Sequence, residues 1–254
     1  MRRAALARLA CALLAFAAHF SARADETPRS TVGLAGGKEH LSNGSPDWRE
    51  TSLQLDYGLA PRQSVGLGLT RTRRFGLNDT QVNAGLVTPL SPALVLSLEA
   101  NASSSHRVLA KNALGGALQY EFARGWLLHG GARSTRYNDV RVNQGLLMLE
   151  HYFSDFSTSL AWRPARAFGT TAHGLELRAS YYYSDRDSVG VIVAGGKEAA
   201  NTGGGVQLSS LRSAALVGRH WLGKDWALNY SLGHTRQGDF YIRNGFSLGL
   251  QAAF

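Results

Sequence analysis

Gly245-Phe246-Ser247-Leu248-Gly249-Leu250-Gln251-Ala252-Ala253-Phe254 alternates strictly. Phe246, Leu248, Leu250, Ala252 and Phe254 are apolar, and the residues between them are small or polar. A period of two is that of a β-strand, whose side chains point to opposite faces. One oily face and one small, polar face suit a strand of a closed barrel in lipid, oily side out. Only closure leaves no backbone edge unpaired in the bilayer.

The same alternation recurs along the chain. Thr51, Leu53, Leu55 and Tyr57 interleave with Glu50, Ser52, Gln54 and Asp56; Leu94, Leu96 and Leu98 with Val95, Ser97 and Glu99; Leu175, Leu177 and Ala179 with Glu176 and Arg178. Each run matches a tilted membrane strand of about 9–11 residues. Fourteen candidates start near residues 29, 48, 62, 79, 93, 110, 125, 140, 155, 172, 187, 206, 225 and 240. The prediction is an all-β, antiparallel, up-and-down transmembrane β-barrel of fourteen strands, with twelve as the alternative. An even count puts both ends in the periplasm. Connections after even strands are short, such as Ser91-Pro92 and Ala123-Arg124. Those after odd strands are expected to be longer outer loops, such as Glu39 to Asp47, Ser104 to Lys111, Ala165 to Ala172 and Glu198 to Gly205.

The N-terminus predicts export. Arg2, Arg3 and Arg8 precede an apolar stretch from Leu9 to Phe20, and Ala22-Arg23-Ala24 has the small-x-small form of a cleavage site. Residues 1–24 therefore read as a cleaved signal peptide and residues 25–254 as the barrel. The single cysteine, Cys11, lies in the leader, so the mature chain is expected to hold no disulfide and no cysteine–zinc site. The formal charge of +9 falls by four, to +5, on cleavage. Export and the absence of one long basic run argue against nucleic acid. Charged residues are only 18% of the chain, below the roughly 25% of soluble domains.

Aromatic residues gather beside the short turns: Tyr57, Tyr120, Phe122, Trp126, Phe153, Phe156, Tyr183, Trp221, Trp226 and Phe254. Rings at one level predict an interfacial girdle on the periplasmic side. There is also a small repeat, in which Gly36-Gly37-Lys38-Glu39 is echoed by Gly195-Gly196-Lys197-Glu198. It reads as two similar strand endings at the outer rim.

Several motifs in their order along the chain resemble the YaiO family of outer-membrane barrels. They are Leu41-Ser42 with Trp48-Arg49-Glu50, Arg74-Phe75-Gly76 with Asp79, and Glu150-His151-Tyr152. Tyr183 with Asp185 and Asp187-Ser188 follows, then Gly195-Gly196-Lys197-Glu198, then the stretch from Trp226 through Tyr241, Gly245, Leu248 and Gly249 to Phe254. The closing strand is also similar to those by which barrel-assembly machinery recognises its clients. The resemblance implies an outer-membrane location in a Gram-negative cell. Some relatives join the barrel to periplasmic helical repeats or sit beside polysaccharide-synthesis proteins, which implies a part in moving or anchoring an envelope glycan.

Chemistry is harder to find. Lipid-cleaving barrels set His and Ser two residues apart on one strand, facing the same way. None of the mature histidines His40, His106, His129, His151, His173, His220 and His234 is expected to serve such a pair. His129 is expected to point inward near Arg133. Asp79 and Asp139 suit an acid protease site by position only, and loop solvation is the competing role. No phosphate loop, calcium loop or clustered metal ligands read out of the sequence, so no cofactor and no enzyme is expected.

Two charged sets remain. Glu50, Asp56, Glu99, Glu121, Arg133, Glu150, Glu176 and Arg178 alternate with apolar residues and are expected to line the lumen, since charge against lipid is costly. They either fill the barrel with salt bridges or border water. Lys38, Arg71, Arg73, Arg74 and Lys197 lie near the outer rim, where they could reach lipopolysaccharide phosphates or simply be solvated. The expected function is a passive conduit or anchor for an envelope polysaccharide or small polar solute. A surface interaction barrel with a closed lumen is the alternative, and an outer-membrane enzyme the third reading.

Overall fold

The computed structural model describes residues 29–201 and 205–254; the expected leader lies outside them. The strands are β1 (Thr31–Leu41), β2 (Trp48–Ala60), β3 (Gln63–Arg74), β4 (Leu77–Ser91), β5 (Leu94–Ser103), β6 (Asn112–Ala123) and β7 (Trp126–Arg136). They continue with β8 (Arg141–Phe153), β9 (Phe156–Ala167), β10 (Thr170–Tyr182), β11 (Ser188–Asn201), β12 (Val206–Leu222), β13 (Trp226–Gln237) and β14 (Tyr241–Ala253). Each starts within two residues of its predicted position. Every strand pairs antiparallel with its sequence neighbours, and β1 closes on β14. The closed fourteen-strand barrel is therefore the architecture that the alternation predicted.

Closure is complete at the end where the described chain starts and stops. Ser30 N–H donates to the Phe254 carbonyl (3.0 Å), and Phe254 N–H donates to the Ser30 carbonyl (2.9 Å). We call this end the near rim and the opposite one the far rim. The barrel is oily outside and polar inside. Leu34, Leu53, Leu69, Leu114, Leu175, Leu232 and Phe246 are among the large apolar side chains on its exposed face. A soluble chain of this size would hide them in a core; in lipid their exposure is the stable arrangement.

The far rim departs from expectation. Ala165 to Ala172 is not a long loop, because β9 runs to Ala167 and β10 starts at Thr170. The link is Phe168-Gly169, with φ of 51° and 77°, and Phe75-Gly76 repeats the device with 52° and 79°. Paired positive φ values are the signature of the type I′ hairpin, whose twist matches the flanking strands. Phenylalanine pays strain there, and packing compensates. The Phe75 ring meets Trp48 edge-on at 5.1 Å. Phe168 packs on a small cluster of Val142, Ala167 and Ala199 with Tyr137 and Val140.

That cluster forms because β11 runs on past its pairing with β10, which ends at Gly174↔Gly196, and brings Ala199 against Val142 and Ala167. At Gly196 an added Cβ would lie 2.4 Å from the His173 carbonyl oxygen and 2.6 Å from Gly174 Cα. Only glycine admits that approach, which carries Ala199 and Ala200 into burial. Gly196→Ala should destabilise the barrel by about 1–3 kcal/mol through forced backbone movement. Gly130→Ala, with nothing within 4 Å of the new methyl, should change it by less than about 0.5 kcal/mol. Urea unfolding in micelles, followed by tryptophan fluorescence, checks both.

Candidate functional site

Strand parity decides what each charge can touch. Glu50, Asp56, Glu99, Glu121, Arg133, Glu150, Glu176 and Arg178 all stand on the inward face. They are joined there by Glu39, Asp79, Glu198, Arg74, Arg163, Arg219 and Arg243. Among the described residues the inward strand face thus carries nine carboxylates against six arginines.

Most of these charges are paired across strands. Arg133 bonds Glu99, Arg163 Nη2 lies 3.2 Å from Glu176, and Arg74 Nη2 lies 3.6 Å from Glu50. Arg243 Nη1 reaches both Glu39 oxygens, at 2.9 and 3.1 Å. Arg219 donates to Asn229 (2.8 Å) and Gln251 (3.2 Å). His129, expected near Arg133, instead has its Nε2 3.0 Å from Glu150 on the neighbouring strand. Asp56 is served by the Gln54 amide at 3.2 Å.

Two knots hold the far mouth. Trp48 is 2% exposed, with the guanidiniums of Arg74 and Arg243 each 4.8 Å from its ring and Tyr241 at 6.1 Å. This cation–π cluster bridges β2, β3 and β14 across the closure seam. Arg74 is consequently not an outward lipopolysaccharide contact. It stands one residue past Arg73, on the opposite face of β3, and its side chain is 13% exposed. The second knot is Asp79, buried on β4. Its Oδ2 accepts the Val108 and Leu109 N–H groups at 2.6 and 2.8 Å, and Arg107 Nε lies 3.6 Å from Oδ1. The connection 104–111 is thereby pinned at the mouth. Asp79 anchors a loop, and Asp139 is exposed in another.

The near rim carries a continuous outward belt of rings. Centroid spacings run Phe122–Trp126 6.3 Å, Trp126–His151 3.9 Å, His151–Phe153 5.4 Å, Phe153–Phe156 5.9 Å and Phe156–Tyr181 5.0 Å. They continue Tyr181–Tyr183 6.3 Å, Tyr183–His220 5.7 Å and His220–Tyr230 5.3 Å. Tyr57, Tyr120, Trp226 and Phe254 are exposed on the same face and level. Trp221 is a correction. Its odd parity on β12 turns it inward with Arg219, and its ring lies 4.2 Å under the Arg186 guanidinium. Sequence reasoning found the level of these rings and missed His151 and His220, whose stacking shows only in three dimensions.

One spacing was also missed. His40 does stand two residues before Ser42. His40 Nδ1 lies 2.9 Å from Asp47, and Ser42 Oγ accepts the Ile242 N–H at 2.9 Å. Among the described residues no hydrogen bond joins His40 to Ser42. Nor do three or more His, Cys, Asp or Glu side chains cluster as metal ligands there.

An inside-out closed sheet with paired charges within and an aromatic belt at one rim defines an outer-membrane β-barrel. The YaiO membrane beta barrel domain matches residues 29–200, and the chain belongs to that family. No curated protein matches it. Among solved structures it is similar to an outer membrane channel from Pseudomonas putida F1 (TM-score 0.59, 11% identity, 92% of this chain and 98% of that one). The CymD monoaromatic hydrocarbon channel is comparable (0.59, 11%, 91% and 89%), as is a bacterial polysaccharide outer membrane secretin (0.56, 12%, 91% and 100%). At these identities the likeness is one of fold.

The near-rim connection 183–187 has a pH-dependent lock. Burial pushes the Asp187 carboxyl up. The Ser184 hydroxyl and Trp221 N–H (2.6 and 2.5 Å), with the charges of His220 and Arg186, outweigh that and hold it below its ordinary 3.8. A lowered folded-state pKa gives stability that is present above the ordinary carboxylate range and is lost as pH falls through the folded value. The protection factor of the Trp221 N–H, its exchange rate compared with that of an unstructured amide at the same pH, should therefore be constant from pH 5 to 7 and fall below about pH 4. In Asp187→Asn it should already be low at pH 7.

Proposed function

We propose that this protein is a passive conduit or anchor in the outer membrane, serving an envelope polysaccharide or a small polar solute. The Glu99–Arg133 pair carries the reading. Both residues face inward, yet 53% and 29% of their side chains meet solvent. In a barrel with an apolar outer face, that solvent is lumen water. Fourteen strands enclose more space than side chains fill, since about eight already suffice for a packed interior. The excess of inward carboxylates favours cations over anions. The channel-like fold of the structural neighbours supports a conduit without identifying a cargo.

The closed-lumen reading draws on the far mouth, where Asp79 pins the connection 104–111 and Ala199 and Ala200 at the tip of β11 are buried. Purified folded protein in planar bilayers separates the two. A conduit gives stable steps with a cation-preferring reversal potential, and Glu99→Gln with Glu176→Gln lowers that preference. Folded protein that gives no steps sinks the conduit. The catalytic reading rests on the Asp47–His40 bond beside Ser42. Ester release from outer-membrane lipid that disappears in Ser42→Ala would replace a passive role with a hydrolytic one.

A further inference from the structure

The outward face divides by charge as sharply as the inward one. The strand carboxylates among the described residues face inward, whereas Lys38, Arg49, Arg71, Arg73, Lys197 and Arg212 are among the exposed outward cations. The outward strand cations lie in the far half of the barrel, opposite the aromatic belt.

Their densest group is on β1 to β3. Lys38 is the Cα partner of Arg49, and Arg49 is the Cα partner of Arg73. Three cations thus stand side by side in one cross-strand row, and Asn78 extends it onto β4. The next row towards the middle of the barrel is Gly36, Thr51, Arg71 and Thr80. Like charges directly opposite each other destabilise a sheet, so the row costs stability unless something neutralises it. Asp47 serves Lys38 at 2.8 Å. Among the described residues no carboxylate comes within 4.0 Å of Arg49, Arg71 or Arg73. The inward arginines Arg74, Arg133, Arg163 and Arg243, by contrast, each have one.

Directly beneath the two polar rows the same four strands present apolar columns. Leu34, Leu53, Leu69 and Val82 form one exposed register row, 58%, 49%, 48% and 55% exposed. Val32, Leu55, Leu67 and Ala84 form the row below it. The surface asks for a ligand with a broad anionic head and several hydrocarbon chains side by side.

We propose that β1 to β4 bind a bisphosphorylated, multi-acylated glycolipid of the lipid A class, with Arg49, Arg71 and Arg73 on its phosphates. The row from Lys38 to Arg73 spans two inter-strand spacings, roughly 10 Å. That is wider than one phosphodiester and suits two phosphates carried on a disaccharide. Four parallel apolar columns likewise exceed what the two chains of a glycerophospholipid cover. The position opposite the chain ends puts the patch in the outer leaflet, where such glycolipids reside. The site replaces Arg74 with Arg49 and leaves Lys197, on the far side of β14, outside it. It is independent of what the lumen carries.

The test uses full-length folded protein in a zwitterionic detergent, titrated with bisphosphorylated lipid A and followed by native mass spectrometry and by the temperature of unfolding. Wild type should bind and be stabilised. Arg49→Gln/Arg71→Gln/Arg73→Gln should bind at least about tenfold more weakly, each lost charge-assisted contact contributing. Without lipid the triple variant should be no less stable than wild type, because it loses only repulsion, so a failure to bind is not a failure to fold. Dephosphorylated lipid A should bind wild type as weakly as intact lipid A binds the variant. The near-rim variant Arg124→Gln/Lys224→Gln should behave as wild type. Equal binding by wild type and triple variant overturns the site, as does equal loss in the near-rim variant. Phosphatidylglycerol binding as tightly as lipid A overturns the glycolipid assignment, and so does full competition by millimolar inorganic phosphate.

Discussion

In a bilayer the backbone has no water to bond, so each strand edge must find another strand. β1 meets that demand by pairing with β14 from Thr31↔Ala253 to Leu41↔Arg243, over its whole length. The rest of the structure depends on this closure. It fixes register around the ring, and register fixes which residues meet lipid and which meet the lumen, because a one-residue slip would exchange the faces of a strand. The seam is reinforced at both ends. Ser30 and Phe254 exchange backbone bonds at the near rim, and Glu39 and Arg243 pair under the Trp48 ring system at the far rim.

Closure also explains the segregation of charge. A guanidinium facing the hydrocarbon would be expensive, so inward arginines are affordable only beside carboxylates or amides, and the structure supplies them. Outward cations obey another rule. They are confined to the far half, where long side chains reach the head-group zone, and those on β2 and β3 have no acid partner among the described residues. The Gly-Gly-Lys-Glu repeat compresses both rules into four residues. On β1 and on β11 its lysine is exposed outside and its glutamate turned inward.

The alternation made the fold legible, strand by strand, because lipid on one side and water on the other impose a period of two with few exceptions. By the same parity the eight anticipated lumen residues share a face with the cross-strand charge pairs. It served less well at strand ends. Arg73 and Arg74 are consecutive, so one must face inward, yet both were grouped by their level at the rim. Trp221 was assigned by its nearness to a turn, whereas the parity of β12 turns it inside. The far connections misled for another reason. Phe168-Gly169 lacks an Asn-Gly or Asp-Gly signature, and its aromatic sits in the left-handed conformation while packed on a cluster that Ala199 of β11 helps to form. The close approach of Gly196 to the backbone of β10 is a contact between elements that no local pattern announces.

The lumen wall is uneven in a way that bears on passage. Midway along β12, β13, β14 and β1 the inward residues are small: Ser213 and Ala215, Ser231 and Gly233, Gly245 and Ser247, Ala35 and Gly37. Opposite them, β5 to β10 project Glu99, Arg133, His129, Glu150, Arg163, Glu176 and Arg178. The arc of small residues therefore projects least into the lumen, and paired charges border the other side. Under the proposed conduit reading, a polymer or solute following that arc would meet backbone and hydroxyl groups on one flank and an acid-rich network on the other. Such a surface would offer many weak, replaceable hydrogen bonds, which suit movement or loose tethering better than tight capture, since that requires a few buried, convergent contacts.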